Sequence, residues 1–247
     1  MLINWLSGQL SPYTPGFWLL VSLLTTALLI SVQSYIPVRW RGAGWFAQWL
    51  LIPYMGLLMG GLSPRLLGLA GLDWLAGLGL GLGLIFAVVI LLTLARATTD
   101  LGAPVAPVDS LETAPQANAK LRLGWHTISS TLLWCGIEQF HWVFLRGGIW
   151  EMLQTLPNPP ELVGYWAIWC AAGVILIELL LLRPSFFPLL IQLVALTTTS
   201  ILFFYTRNFW LCWVLHAAVQ LLTAPPAILP LAPRLHAPLE EVAHAKE

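Results

Sequence analysis

The chain has 247 residues, of which 58% are hydrophobic and only 9% charged, and its formal net charge is zero. Soluble domains carry charge on about a quarter of their residues, so a water-soluble fold of this size is excluded. With no net positive charge and no long basic run, nucleic acid is excluded as a partner, and membrane lipids are expected instead.

Seven stretches are long and apolar enough to cross a bilayer: Gly16–Ile36, Gly44–Leu62, Trp74–Ala95, Gly124–Leu145, Leu162–Leu182, Phe187–Tyr205 and Asn208–Ala224. Helices are expected because backbone amides in hydrocarbon must be satisfied within their own segment, and no stretch alternates as a barrel strand would. The sequence therefore predicts an all-α, polytopic transmembrane bundle of about seven spans. The N-terminal stretch has no basic region and no small-residue cleavage pattern, so no cleaved signal peptide is expected.

The first part, residues 1–96, holds three spans with almost no polar side chains beyond Ser, Thr and Gln. Its glycines recur four apart, as Gly56/Gly60, Gly77/Gly81 and Gly79/Gly83, the spacing that lets helix backbones approach closely. A polar, proline-interrupted connection at 97–121 reads as a cytoplasmic loop. Residues 122–224 contain four spans and the intramembrane ionisable groups, and 225–247 form a proline-rich tail. Arg39, Arg41, Arg96, Lys120, Arg122, Arg183, Arg234 and Lys246 fall on one side, against Arg65 and Arg207 on the other. The positive-inside rule then puts the N-terminus outside and the C-terminus in the cytoplasm, in what reads as a bacterial plasma membrane.

Trp18, Trp40, Trp45, Trp74, Trp125, Trp150 and Trp210 lie near span ends, as interfacial anchors do, whereas Trp134 and Trp169 read as packing residues. Cys135, Cys170 and Cys212 lie within spans at no metal-binding spacing and read as small apolar filler.

Ionisable groups inside membrane helices cost roughly 2.5–3.5 kcal/mol each on insertion scales and usually mark sites or pathways. Here they are Glu138, His141, Glu178 and His216, with Arg146 at a helix end. Glu138 and His141, three residues apart, share a helix face within about 60°. Glu138 and His216 fall at similar depths on antiparallel spans, and Gln220 follows His216 by one turn. If the fourth and seventh spans are neighbours, a carboxylate, two imidazoles and an amide converge. A carboxylate in such a pocket can take a proton from water, and a histidine opposite can stabilise an oxyanion, without any metal. The structural alternatives are a Glu138–His141 pair joining helices, a snorkelling Arg146, a His216 bonded to a carbonyl, and a Glu178 reaching headgroups near Arg183. A haem or chlorin ligated by His141 and His216 is a third reading of the same histidines. No cofactor is assigned.

Three passages, "SPRLLGLAGLDWLAGLGLGLGL", "EQFHWVFLRGGIW" and "YTRNFWLCWVLHAAVQ", resemble the CAAX-protease and bacteriocin-processing (Abi) family of intramembrane glutamic endopeptidases. The resemblance runs from Pro64 to Leu222 and is most specific at the last passage. It implies peptide-bond hydrolysis with Glu138 activating water, His141 orienting it, His216 stabilising the oxyanion, Gln220 in the place of an asparagine, and Arg146 holding a substrate carboxylate or the helix end. The chain departs from the pattern in two places. Counted back from Arg146, the family's glutamate pair falls on His141 and Trp142, three residues beyond Glu138. The middle motif's histidine is missing, its nearest substitutes being the Trp166–Cys170 stretch and Glu178. The resemblance thus also admits an inactive relative, a scaffold or accessory subunit binding a lipid, peptide or membrane-protein partner.

Overall fold

The computed structural model describes residues 5, 7–101, 125–182 and 186–223. Among them there is no strand. Seven long helices follow in chain order: α1 Pro15–Val32, α2 Val38–Leu58, α3 Trp74–Leu101, α4 Trp125–Gln154, α5 Val163–Leu182, α6 Phe186–Thr206 and α7 Phe209–Thr223. Four of them carry segments long and apolar enough to cross a membrane, Pro15–Val32, Gly77–Ala95, Val163–Leu182 and Phe186–Thr206. The other three fall short for separate reasons. Helix α7 has 15 residues, about 22 Å. Helix α2 opens on Arg39 and Arg41. Helix α4 dilutes its apolar run with Glu138, His141, Arg146 and Glu151.

The sequence explains where the helices begin and stop. Pro15 supplies the first turn of α1, where its missing N–H costs nothing. Asn208 caps α7, its side-chain Oδ1 accepting the Trp210 and Leu211 N–H groups at 2.9 and 3.2 Å. Arg207, between α6 and α7, adopts φ 46°, a left-handed conformation that turns the chain in one residue. Gly68 lies against that corner: its carbonyl accepts the Phe209 N–H, and its own φ of 70° and the nearby Arg207 carbonyl leave no room for a Cβ.

Helix α4 is the hub. It has 30 residues, about 45 Å, and packs against α1, α2, α5 and α7, while α3 closes the other side against α6 and α7. The first three helices thus do not stand apart from the last four. The connection at 59–73 also enters the bundle: Leu62 and Leu67 are buried, and Gly147 and Gly148 of α4 are small enough to admit them. In lipid the gain here is van der Waals contact and polar pairing rather than escape from water. One such pair is Gln48 of α2, whose amide donates to the Ser22 carbonyl and the Thr26 hydroxyl of α1, each at 2.9 Å.

Several expectations are corrected at this level. Only one glycine stripe of α3 packs: a Cβ on Gly81 would lie 2.7 Å from Leu211, whereas Gly79 and Gly83 face open space. Trp45 and Trp150 are buried at 2% and 6% exposure, so they are core residues rather than interfacial anchors, and Trp169 is exposed. Trp150 is held inside because Gly164 of α5 leaves the space its ring fills. Cys135 and Cys212 are buried but Cys170 is exposed, so it fills no gap. The helix α3 runs on to Leu101, into the segment expected as loop. The rest of that loop and the 225–247 tail lie outside the described residues.

Candidate functional site

Two carboxylate–imidazole pairs flank α4, each shared with a different neighbour. Glu138 points towards α6 and α7, where its Oε2 lies 3.8 Å from His216 Nε2 and accepts a hydrogen bond from Gln192 Nε2 at 3.3 Å. His141, one turn on, points towards α5 and meets Glu178, Nε2 to Oε2, at 2.9 Å. The 60° between these two α4 residues is enough to send them to opposite partners. Rather than with each other, as one structural alternative has it, Glu138 and His141 are each matched with a residue of another helix.

Each imidazole is fixed by aromatic faces. His216 stacks on Trp142 with centroids 4.7 Å apart and planes 12° from parallel. His141 lies against Trp49 of α2 at 5.8 Å and Phe144 at 6.2 Å. All four members of the pairs are buried, Glu138 at 1%, His141 and His216 at 0% and Glu178 at 6%. Both Nε2 atoms face carboxylates, so the histidines are not set as the two axial ligands of one ring. Among the described residues no group of three His, Cys, Asp or Glu gathers as metal ligands would.

Glu178, for which one alternative was a place among the headgroups and another that of the missing middle-motif histidine, is buried and bonded to His141. Its position four residues before the end of α5 still lies beside the hub helix, and the imidazole supplies a partner that water would otherwise supply. Burying either polar group without a partner is costly, and the 2.9 Å hydrogen bond supplies one to each.

Arg146 is not at a helix end. Helix α4 continues eight residues to Gln154, and at Gly147 and Gly148, just beyond the arginine, Leu67 and Leu62 of the 59–73 connection pack against it. The guanidinium is 0% exposed, and its Nη2 donates to Thr199 Oγ1 at 3.1 Å and Ser200 Oγ at 2.9 Å on α6. It also lies 6.0 Å from the Trp142 ring centroid and 5.6 Å from that of Phe203. Hydrogen bonds to a charged group contribute about 1.5–3 kcal/mol and a cation–π contact about 0.5–2 kcal/mol. Neither cancels the charge.

Gln220 follows His216 as expected, but its Nε2 is buried with no acceptor and is not bonded to Glu138. The structure thus brings Glu138 and His216 together, joins Arg146 to them through the shared Trp142, and turns His141 away. Sequence reasoning missed Gln192, Thr199 and Ser200, all on α6. The signal was there: Gln192 precedes Thr199 by seven residues, two turns, which puts both on one face of an otherwise apolar helix. Gln139, fully buried with neither side-chain atom bonded, was also missed.

The chain matches no family model, no curated protein and no solved structure.

Proposed function

We propose that this protein is an integral membrane protein with its N-terminus outside, about seven spans, and an intramembrane peptidase site resembling that of the CAAX-protease and Abi family. The observation that carries the reading is the Glu138–His216 juxtaposition across α4 and α7. Glu138 takes the proton from an attacking water as the C–O bond forms, and His216 donates a hydrogen bond to the oxygen that becomes anionic at the scissile carbonyl. The Glu138 carboxyl then gives the proton to the amine nitrogen that leaves as the C–N bond breaks. Gln192 holds the carboxylate in place, and Trp142 holds the imidazole plane. The substrate is a peptide segment that enters between helices.

The test is cleavage by the purified full-length protein in proteoliposomes, with products of a peptide mixture identified by mass spectrometry. Glu138→Gln and His216→Ala each lower the rate by roughly 10²–10³ while leaving the protein folded. Cleavage that persists unchanged in both variants overturns the reading.

The near-complete burial of the pair favours a second reading, an inactive relative acting as a scaffold or accessory subunit. It expects no cleavage, and a protein or lipid partner that stays bound through purification of the Glu138→Gln variant.

A further inference from the structure

Arg146 is a cation buried at 0% exposure, and among the described residues no carboxylate pairs with it. Its Nη2 protons go to Thr199 and Ser200, but its Nε and Nη1 have no acceptor. Neutral hydroxyls orient the group without neutralising it. A buried charge is ordinarily paired, so the arrangement is incomplete without an anion.

The surroundings fit one. The Thr199 hydroxyl donates to the Leu196 carbonyl at 3.3 Å, whereas the Ser200 oxygen accepts from Arg146 and its own O–H has no acceptor among the described residues. Of the two hydroxyls, Ser200 is the one with a donor to offer. Trp142 and Phe203 fix the guanidinium by their ring faces, so its remaining N–H groups are held in position. Helices α4 and α6 are not packed directly along their length; long polar side chains, Arg146 among them, link the two.

We propose that Arg146 and the Ser200 hydroxyl, with Thr199 holding the guanidinium in place, form an oxyanion-binding site inside the bundle that takes a carboxylate or a phosphate group. Planar guanidinium forks suit both, and the guanidinium is a stronger match to them than a lysine would be. The same Trp142 ring touches Arg146 and stacks on His216, so a bound anion lies next to the Glu138–His216 pair. The site does not depend on peptide hydrolysis.

The test uses the full-length protein in phosphatidylcholine nanodiscs, titrated with octanoate, octyl phosphate and, as the uncharged control, octanol. The thermal midpoint is expected to rise saturably with octanoate, octyl phosphate or both, and not with octanol; a response to one alone names the anion class. Arg146→Lys weakens the apparent affinity at least about tenfold, because the fork is lost while the charge remains. The Thr199→Val/Ser200→Ala double variant, which keeps the arginine, weakens it several-fold and serves if Arg146 variants fail to fold. No saturable response to either anion in the wild-type protein overturns the site, as does affinity undiminished in the double variant.

Discussion

His141 Nε2 and Glu178 Oε2 lie 2.9 Å apart at the meeting of α4 and α5, both withdrawn from the surface. Each is the hydrogen-bond partner of the other. Either side chain alone would leave a polar group stranded, so their contributions are coupled rather than independent. His141→Leu and Glu178→Leu are each expected to cost about 3 kcal/mol, with the double variant costing less than the sum by at least about 1 kcal/mol. Equilibrium unfolding of the four proteins in mixed detergent measures the cycle, and strict additivity would deny the coupling.

The two glycine stripes of α3 should respond in opposite ways. Gly81→Val drives a side chain into Leu211 of α7 and is expected to cost about 1–3 kcal/mol. Gly83→Ala meets nothing and raises helix propensity, so it is expected to be neutral or stabilising by up to about 1 kcal/mol. Thermal midpoints of the two variants, measured in one detergent, distinguish the faces.

At the α6–α7 corner, Asn208→Ala removes the acceptor for two N–H groups of α7 and is expected to cost about 1 kcal/mol. Because α7 carries His216, the same change should loosen the Glu138–His216 pair. Faster proteolysis near the corner, together with a lower midpoint, is the expected signature. Asn208→Asp, which keeps the acceptor, should retain most of the stability.

Glu151, beyond the apolar run that ends at Leu145, gives a pH dependence. Burial pushes its carboxyl above the ordinary value, and the Ser63 N–H donated to it at 3.1 Å opposes that shift. The folded protein therefore keeps the proton at a pH where the unfolded chain has lost it. Its contribution is most favourable below the unfolded carboxylate range and declines as pH rises through the folded value. The thermal midpoint of the wild-type protein should fall relative to Glu151→Gln as pH is raised from about 4 to about 7; parallel profiles would contradict this.

Much of the site is legible in the sequence. Equal depth on two antiparallel helices allowed Glu138 to meet His216, because rise per residue is fixed in a helix and depth can be counted, but the packing of α7 on α4 is what brings them together. The partners of His141 and Arg146 could not be counted in that way. A residue 60° round a helix faces a different neighbour, and which neighbour is there depends on packing order. Glu178, Thr199 and Ser200 were all visible as polar residues in apolar stretches, yet only adjacency assigns them to an imidazole and a guanidinium. The end of α4 differs for another reason: hydropathy marks only the apolar run, which stops at Leu145, whereas helical backbone bonds are internal and carry on through the less apolar stretch to Gln154.

The sequence by itself determined that this is a helical membrane protein, because 9% charge cannot solvate a folded surface and hydrocarbon permits few backbone conformations. It also determined which ionisable groups lie within the apolar spans. Only the tertiary structure decided how they pair. Helix neighbours are chosen by side-chain shape summed over many residues, so α4 came to divide its glutamate, histidine and arginine among three different helices.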